Sequence, residues 1–327
     1  MKWPGHLPGD HMHVGLKSLL VVLAAGSVLA GGWHAAMAET NEPVPEITHK
    51  TTELFSHNGY SFAVEQAFYK FPDETEWLDM EQTLIVTHNG SEPKRYDGWR
   101  WEVYKAESFS EPPSFSPDPG SDITGDAVPD LVLMNYSGGA HCCSTYYIFE
   151  LGATLRVHEL NTRNWSIRFK QLDDKPGLEI LFNDDNFAYW RSSFTGSAAP
   201  TVILRYRNGA YEPAPELMRT PAPTPAEIAG WVKESNEAYG WDMETKPRGS
   251  DVQDLGGEFL NRVTQLIYEG HADLVRDFVD RAWPAAKPGK DDFIAELMEC
   301  RIRHSEYWPA IAALNGLPAD KAVGKCN

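Results

Sequence analysis

The sequence predicts an α+β fold, in which a β-rich N-terminal region, propeller-like or sandwich-like, precedes a small all-α C-terminal region. Asn-Gly pairs favour the tight turns of β-hairpins, and they occur at Asn58-Gly59, Asn89-Gly90 and Asn208-Gly209. Beyond a proline-rich segment, apolar residues recur instead at spacings of three and four, the period of an amphipathic helix. The 327-residue chain therefore divides into a region of strands and a region of helices.

The first 38 residues are predicted to be an export signal. Lys17 precedes an apolar run at residues 19–30, and Ala36-Met37-Ala38 has the small-x-small pattern of a cleavage site. The run is short for a membrane span, so we expect residues 1–38 to be removed and the mature protein to be periplasmic or secreted. No later segment is apolar for long enough to predict membrane insertion after signal removal.

The charge of the chain limits its partners. The formal net charge is -18, and a field of this sign repels phosphate, so we expect no nucleic-acid partner. Hydrophobic residues make up 42% of the chain, which is typical of an ordered globular protein rather than a disordered one. The expected partner is an unknown protein or glycan ligand.

Residues 47–212 are predicted to form the β-rich region, and part of this region repeats. The run from Asp130 to Leu133 aligns with the run from Glu179 to Phe182, and each acid is expected to open a strand. In each copy a glycine-containing connector leads to a second strand, at residues 146–151 and 201–207. The region could hold about three blades, fewer than a closed propeller needs, so we expect an open arrangement.

The segment before the first of these strands has the composition of a loop that binds a hard cation. Calcium takes about six to eight oxygen ligands, and short loops with acids at alternate positions supply them by curling around the ion. The predicted metal ligands are Asp122, Thr124, Asp126 and Asp130. The alternative is a plain acidic turn that is closed by its own hydrogen bonds.

The same run resembles the calcium loop of the FG-GAP and VCBS repeats of integrin-like β-propellers, roughly Asp-x-(Asp/Asn/Thr)-x-Asp-Gly-x-x-Asp-(Leu/Ile). The resemblance implies propeller-type repeats in an exported bacterial protein, with calcium as the cofactor. Ala127 departs from the pattern, because the family has a glycine there that adopts positive φ without a Cβ penalty. In the second copy Lys175 replaces Asp126, so we expect that lysine to supply the positive charge in place of calcium.

The C-terminal part of the chain begins with a stiff linker. Five prolines fall within or next to residues 213–224, where they block both helix and sheet. Residues 225–320 then predict a helical region. Thr224-Pro225-Ala226-Glu227 is a capping box that starts the first helix, and apolar faces follow at residues 252–266 and 274–279. Two further helices are expected at residues 292–302 and 305–315.

The four cysteines, Cys142, Cys143, Cys300 and Cys326, all lie in the exported part, where disulfides persist. Three pairings are possible, and we favour Cys300 with Cys326. The adjacent pair is then either two buried thiols or a strained vicinal disulfide. The run from Ser137 to Cys143 resembles a signature of uncharacterised exported bacterial proteins, which implies no activity.

Sequence patterns of enzymes are weak in this chain, and no catalytic residue is predicted. His141 and Cys143 could share a face of an extended strand, but no third member of a triad is evident. The acids Asp184 and Asp185 follow a strand, where glycosidase carboxylates can lie, but we favour a solvated turn or a second cation site for them.

Two aromatic clusters suggest carbohydrate binding, at residues 99–104 and 187–194. Trp99 and Trp101 are spaced by two, so they are expected to share one sheet face, where exposed rings could stack on sugars. The alternative is that both clusters belong to the core. We therefore expect an exported non-catalytic binding or scaffold module that calcium stabilises; the alternatives are a carbohydrate-binding protein or an envelope hydrolase.

Overall fold

The computed structural model describes residues 46–72, 78–105, 116–139, 143–237, 255–285 and 287–320. Within these residues, twelve strands form three four-stranded antiparallel sheets, and the helices follow them in the chain. This arrangement confirms the predicted α+β class. The predicted signal at residues 1–38 lies outside the described residues, and no helix within them is long and apolar enough to cross a membrane.

The first sheet contains β1 (Glu46–His57), β2 (Tyr60–Lys70), β3 (Leu78–His88) and β4 (Lys94–Gly98). The predicted hairpin turn joins β1 to β2, where Asn58 and Gly59 have φ of 50° and 77°. Positive φ at both positions is what a type I′ turn requires, which explains the Asn-Gly pair.

The second and third sheets repeat this connectivity. The second contains β5 (Arg100–Val103), β6 (Asp130–Tyr136), β7 (Ser144–Leu151) and β8 (Leu155–Arg163). The third contains β9 (Arg168–Lys170), β10 (Glu179–Asn183), β11 (Thr201–Arg207) and β12 (Ala210–Pro213). Each sheet is a four-stranded meander, the connectivity of a propeller blade. The three sheets do not close into a ring within the described part of the chain.

The second sheet is covered on both faces because side chains alternate along its strands. On β7, Phe149 points to the first sheet, where its ring lies 5.1 Å from that of Phe62. Its neighbour Ile148 belongs to the core that the second sheet shares with the third sheet and the helices. The third sheet continues that core, since both Ile180 on β10 and Phe259 in the helical region are fully buried in it.

The helices are α1 (Pro215–Met218), α2 (Pro225–Glu237), α3 (Gly257–Tyr268), α4 (Val275–Ala282), α5 (Lys290–Glu296) and α6 (Trp308–Leu314). The predicted apolar face of α3 is confirmed by the burial of Phe259, Val263 and Leu266. The helix expected at residues 292–302 is less regular, because α5 is followed by a π-helical turn, Leu297–Arg301, and a 3-10 turn, Ile302–His304.

The proline-rich segment lies against the body of the protein. Ala214 and Met218 are buried within it, and α1 contacts β11 and α6. All described residues belong to one compact unit, and the division into a β-rich and a helical domain stays a prediction.

Cys143 and Cys300 each take part in a disulfide bond. Cys142 and Cys326 lie outside the described residues, as does His141, so the pairing of Cys300 with Cys326 stays a prediction.

The capping box at the start of α2 gives a direct test of local stability. The Thr224 hydroxyl accepts the Glu227 N–H at 3.2 Å, and the Glu227 carboxylate accepts the Thr224 N–H at 2.7 Å. Because Thr224→Ala removes the acceptor, we expect it to lower the free energy of unfolding by about 1 kcal/mol in a urea titration. Thr224→Ser keeps the hydroxyl and serves as the control. A Thr224→Ala protein as stable as the wild type would contradict this account of the helix start.

Candidate cation site and polar cavity

The four predicted metal ligands come together around the Thr124 hydroxyl. Its oxygen lies 3.4 Å from Asp122 Oδ1, 3.1 Å from Asp126 Oδ1 and 3.1 Å from Asp130 Oδ2. A hydroxyl has a single proton to donate, so it can satisfy only one of these three carboxylate oxygens at a time. The loop therefore brings together more carboxylate oxygens than its own hydroxyl can donate to.

Backbone groups hold the loop in this shape. The Asp122 carboxylate accepts the N–H groups of Gly125, Asp126 and Ala127 at 2.6, 3.2 and 2.8 Å. Ala127 has φ of 66°, the left-handed conformation that the glycine of the FG-GAP pattern would adopt freely. The turn thus keeps the expected shape, although an L-residue with a Cβ is strained in it.

Asp130 is the most constrained member of the cluster. It is 2% exposed, and one oxygen, Oδ2, accepts the N–H groups of Ile123 and Thr124 at 2.8 and 3.0 Å. The other oxygen, Oδ1, is buried and has no hydrogen-bond partner among the described residues. Burial raises the pKa of Asp130 to about 6, although the hydrogen bonds from Thr124 and Ile123 oppose the rise. A buried carboxylate of this kind needs a positive partner or a proton.

The cluster fits a hard cation in its chemistry but not as a ready-made cage. No group of three or more His, Cys, Asp or Glu side chains within the described ranges forms a metal site as it stands. The Thr124 hydroxyl fills the centre of the cluster, and Asp126 Oδ2 lies 2.7 Å from Arg156 Nη2. A cation would have to draw the carboxylates inward beside that hydroxyl. An all-oxygen donor set suits calcium better than softer metals.

The corresponding loop of the third sheet holds a positive side chain. Glu179, the first residue of β10, is 2% exposed, and its Oε1 lies 2.8 and 2.6 Å from Nε and Nη2 of Arg205. Arg205 Nη2 also lies 2.6 Å from Asp173. Lys175, which we expected to supply the charge, is 65% exposed, and its Nζ lies 3.7 Å from Asp173. The expectation that Lys175 supplies the charge was wrong, because the buried positive charge beside Glu179 comes from Arg205 of β11.

The sequence does contain a signal for Arg205. It directly follows the apolar run Val202–Leu204 of β11, and a charged residue is almost never fully buried unless it is paired. A buried arginine in a strand therefore predicts a buried acid on a neighbouring strand. What the sequence alone does not give is the register that places Glu179 opposite.

The second sheet carries the opposite charge at the equivalent position. Asp130 of β6 pairs in register with Glu150 of β7, where the third sheet has Arg205 opposite Glu179. Glu150 is 1% exposed, and its own partners are Arg156 Nε at 2.6 Å, His158 Nε2 at 2.5 Å and the Tyr206 hydroxyl at 2.6 Å. Arg156 neutralises Glu150 and the other two groups hydrogen-bond to it, while no ion pair reaches Asp130 within the described residues.

The two loops touch through a pair of glycines. A Cβ on Gly125 would lie 2.5 Å from the backbone nitrogen of Gly177, and a Cβ on Gly177 would lie 2.6 Å from the Thr124 carbonyl oxygen. The Leu178 N–H also donates to the Ile123 carbonyl at 2.8 Å. The conformation of the first loop therefore sets the junction between the second and third sheets.

A polar cavity of about 160 Å³ lies where β8 and β10 end. Asp184 lines it, but this carboxylate is 5% exposed and accepts the Tyr268 hydroxyl at 2.5 Å and the Ser305 hydroxyl at 2.6 Å. These bonds tie the third sheet to the helical region. Asp185 is half-buried, and burial raises its pKa, while a hydrogen bond from Asn164 at 2.8 Å opposes the rise.

The aromatic clusters do not form the exposed faces that were expected. Four of their residues are buried: Trp101, Tyr104, Phe187 and Trp190. Trp99 lies between β4 and β5 and is 41% exposed, so it does not share a face with its buried neighbour in the cluster. Tyr189, at 57% exposure, is the exposed ring of the other cluster.

Comparison with known proteins gives one limited similarity. The chain is 30% identical, over 92 residues, to a probable thylakoid lumen protein of Synechocystis sp., an alignment that covers 25% of each protein. The chain thus matches about a quarter of the length of that relative. No protein-family model matches the chain. No solved structure is significantly similar to it.

The charge pair in the third sheet can be tested directly. We expect Arg205→Met to lower the free energy of unfolding by about 3–5 kcal/mol, because it leaves Glu179 buried and unpaired. Adding Glu179→Gln should restore a large part of the loss. Arg207→Met is the matched control on the same strand. Its partner Glu216 is 47% exposed, so the change should cost less than about 1 kcal/mol. Equal losses at both arginines would contradict the pairing.

A substitution in the strained turn at Ala127 is expected to raise the stability of the protein rather than lower it. Because Ala127 has a positive φ, Ala127→Gly should raise the free energy of unfolding by about 0.5–1 kcal/mol, the relieved Cβ strain less the added chain entropy. Ala127→Ser keeps a Cβ and should bring no gain. Chemical unfolding of the three proteins side by side measures the difference, and a destabilised glycine variant would show that the turn is not strained.

Proposed function

We propose that the protein is an exported, non-catalytic binding or scaffold module, related to FG-GAP and VCBS repeats, in which calcium holds the loop before β6. The signal-like segment at residues 1–38 and the lumenal relative both support an extracytoplasmic location. Three successive four-stranded meanders support the kinship with propeller repeats.

One observation carries the cation assignment. Three carboxylates, from Asp122, Asp126 and Asp130, meet at one hydroxyl, whereas the same place in the next sheet is served by Arg205. The two loops are internal controls for each other, because each has a buried acid at the start of a strand. Where a side chain can supply the positive charge, it does so. In the first loop Arg156 pairs with Asp126 and Glu150, and no side chain of the described residues supplies a positive charge to Asp130, so a bound cation is the remaining way to keep Asp130 ionised.

The residues of the chain explain what such a cation would achieve. With Asp122 and Asp130 drawn together, the loop would be fixed at both its ends, and the contact of Gly125 with Gly177 would fix the neighbouring loop as well. The function of calcium is then structural, since it makes the junction between two sheets rigid. Loops that a rigid scaffold positions are the usual place for contacts with a partner.

A hydrolase is favoured less by the geometry. Asp184 is held by hydroxyl groups from two parts of the helical region, which suits a structural link between sheet and helices. A general acid or base needs a proton or lone pair that is free to reach the substrate. Only Asp185 of the two acids retains that freedom.

Calcium should therefore raise the thermal stability of the mature protein. At a concentration about a hundred-fold above the dissociation constant, we expect a gain of about 2.7 kcal/mol. The gain corresponds to a rise of roughly 5 °C in the unfolding midpoint over the chelator-treated protein. Asp126→Asn should lose most of this shift, and Asp174→Asn, an exposed acid in the second loop, should keep it. Magnesium is the control for ionic strength and size. An equal midpoint with calcium and with chelator would refute the site.

A further inference from the structure

Three aromatic side chains contact one another in sequence beside the polar cavity. The rings of Trp165 and Phe194 are roughly parallel, with centroids 6.3 Å apart, and the Tyr189 ring lies 5.4 Å from that of Phe194. Tyr189 is 57% exposed and the other two residues are partly exposed. We call these three residues the aromatic strip. Only Tyr189 and Phe194 belong to a cluster that the sequence singled out.

The aromatic strip begins at the rim of the cavity. Asn164, which precedes Trp165, donates to the Asp185 carboxylate at 2.8 Å, and Asp185 lines the cavity. The strip and the cavity are therefore two parts of one surface, apolar at one end and polar at the other. Ligand sites commonly combine an apolar wall with a few placed polar groups.

The position of Trp165 is fixed by a bulge at the end of β8. Arg163 pairs with Ser144 and Asn161 with the next residue, so Thr162 has no partner in the ladder. The Thr162 hydroxyl instead donates to the Trp165 carbonyl, and the Trp165 N–H donates to the Thr162 carbonyl at 3.2 Å. Bulges re-aim side chains next to functional sites, and this one turns the chain towards the cavity.

Tyr189 is held at the surface against a local cost. Its φ is 59°, which is unfavourable for a bulky residue, and the Ser197 hydroxyl accepts its N–H at 2.8 Å. The Ser197 hydroxyl in turn donates to the Ser193 carbonyl at 3.0 Å. The backbone of Tyr189 is therefore strained in a conformation that exposes its ring to solvent, where the ring does not contribute to the core. Strain of this kind clusters at sites that bind or react.

The charged side chains that line the cavity determine which ligands it favours. Its carboxylates, from Asp184, Asp185 and Glu306, outnumber its basic side chains, Arg163 and His304, and the chain as a whole has a net charge of -18. An anionic ligand is therefore disfavoured. The amides of Asn161 and Asn183 both donate and accept hydrogen bonds, which suits hydroxyl groups. A volume of about 160 Å³ has room for roughly five water molecules or a single sugar ring.

We propose that the aromatic strip and the cavity bind a neutral oligosaccharide. Tyr189 and Phe194 stack on the apolar C–H faces of successive sugar units, and the cavity hydrogen-bonds the hydroxyls of the unit at its end. This inference rests on the proposed function, since it names the ligand of that binding module. A strip of rings fits an extended chain of sugars better than a single ammonium group, which an aromatic cage would enclose.

The test is a calorimetric titration of the mature protein with chitotetraose, cellotetraose and maltotetraose, all of which are neutral. At least one should bind in the micromolar to millimolar range. Tyr189→Ala and Phe194→Ala should each weaken that binding about tenfold. Trp99→Ala, which removes an exposed ring far along the sequence from the strip, should leave it unchanged. Asp185→Asn should weaken binding through the cavity.

Other outcomes would overturn the proposal. Binding of tetramethylammonium or trilysine in place of the sugars would make this a cation site, and sugar affinity that survives loss of Tyr189 and Phe194 would place the site elsewhere. The calcium-dependent midpoint of each variant separates the two proposals. If no sugar binds but the calcium shift persists, this inference alone fails. If fragments are released, and Asp185→Asn stops their release, the sugar site stands and the non-catalytic assignment fails.

Discussion

The structure depends on how it neutralises a buried acid at the start of the second strand of a sheet. In the third sheet Glu179 meets Arg205 across the strand pair, and both side chains are almost fully buried. A buried ion pair is costly to break, so β10 and β11 are locked in one register there. In the second sheet the same register places Glu150 opposite Asp130, and two acids cannot neutralise each other. The buried acid at the start of the second strand is therefore paired with an arginine in the third sheet but not in the second.

The hydrogen bonds of the Glu150 carboxylate connect the second sheet to the third. Its carboxylate accepts the hydroxyl of Tyr206, which belongs to β11 of the next sheet, and it also contacts His158. Desolvation and the neighbouring Glu150 raise the pKa of Tyr206, so its hydroxyl stays a donor over the whole range in which proteins are stable. Together with the contact of Gly125 and Gly177, this bond connects the second and third sheets at the end where the loops lie.

Local patterns predicted much of this fold, and non-local pairing explains what they missed. The Asn-Gly turns and the Thr224 capping box depend on adjacent residues, so their chemistry could be read directly. The clustering of Asp122 to Asp130 was likewise a matter of spacing along the chain. Arg205 was missed because its partner is distant in sequence, and Lys175 was the nearer but wrong cation. Exposure of aromatic residues was also unpredictable, because a sheet covered on both faces buries Trp101 whichever way it points.

The two proposed sites lie at opposite ends of the second and third sheets. Asp130 and Glu179 begin β6 and β10, whereas the cavity lies at the ends of β8 and β10. β10 covers five residues, or about 16 Å, so a cation at one end does not touch a ligand at the other. Any effect between them must pass through strands that are already held by paired charges and a packed core. On the function proposed above, calcium stiffens the junction between the second and third sheets, and the strands then hold the aromatic strip in a fixed position. A preorganised surface loses little freedom on binding, which is the advantage of separating the element that stabilises from the element that recognises.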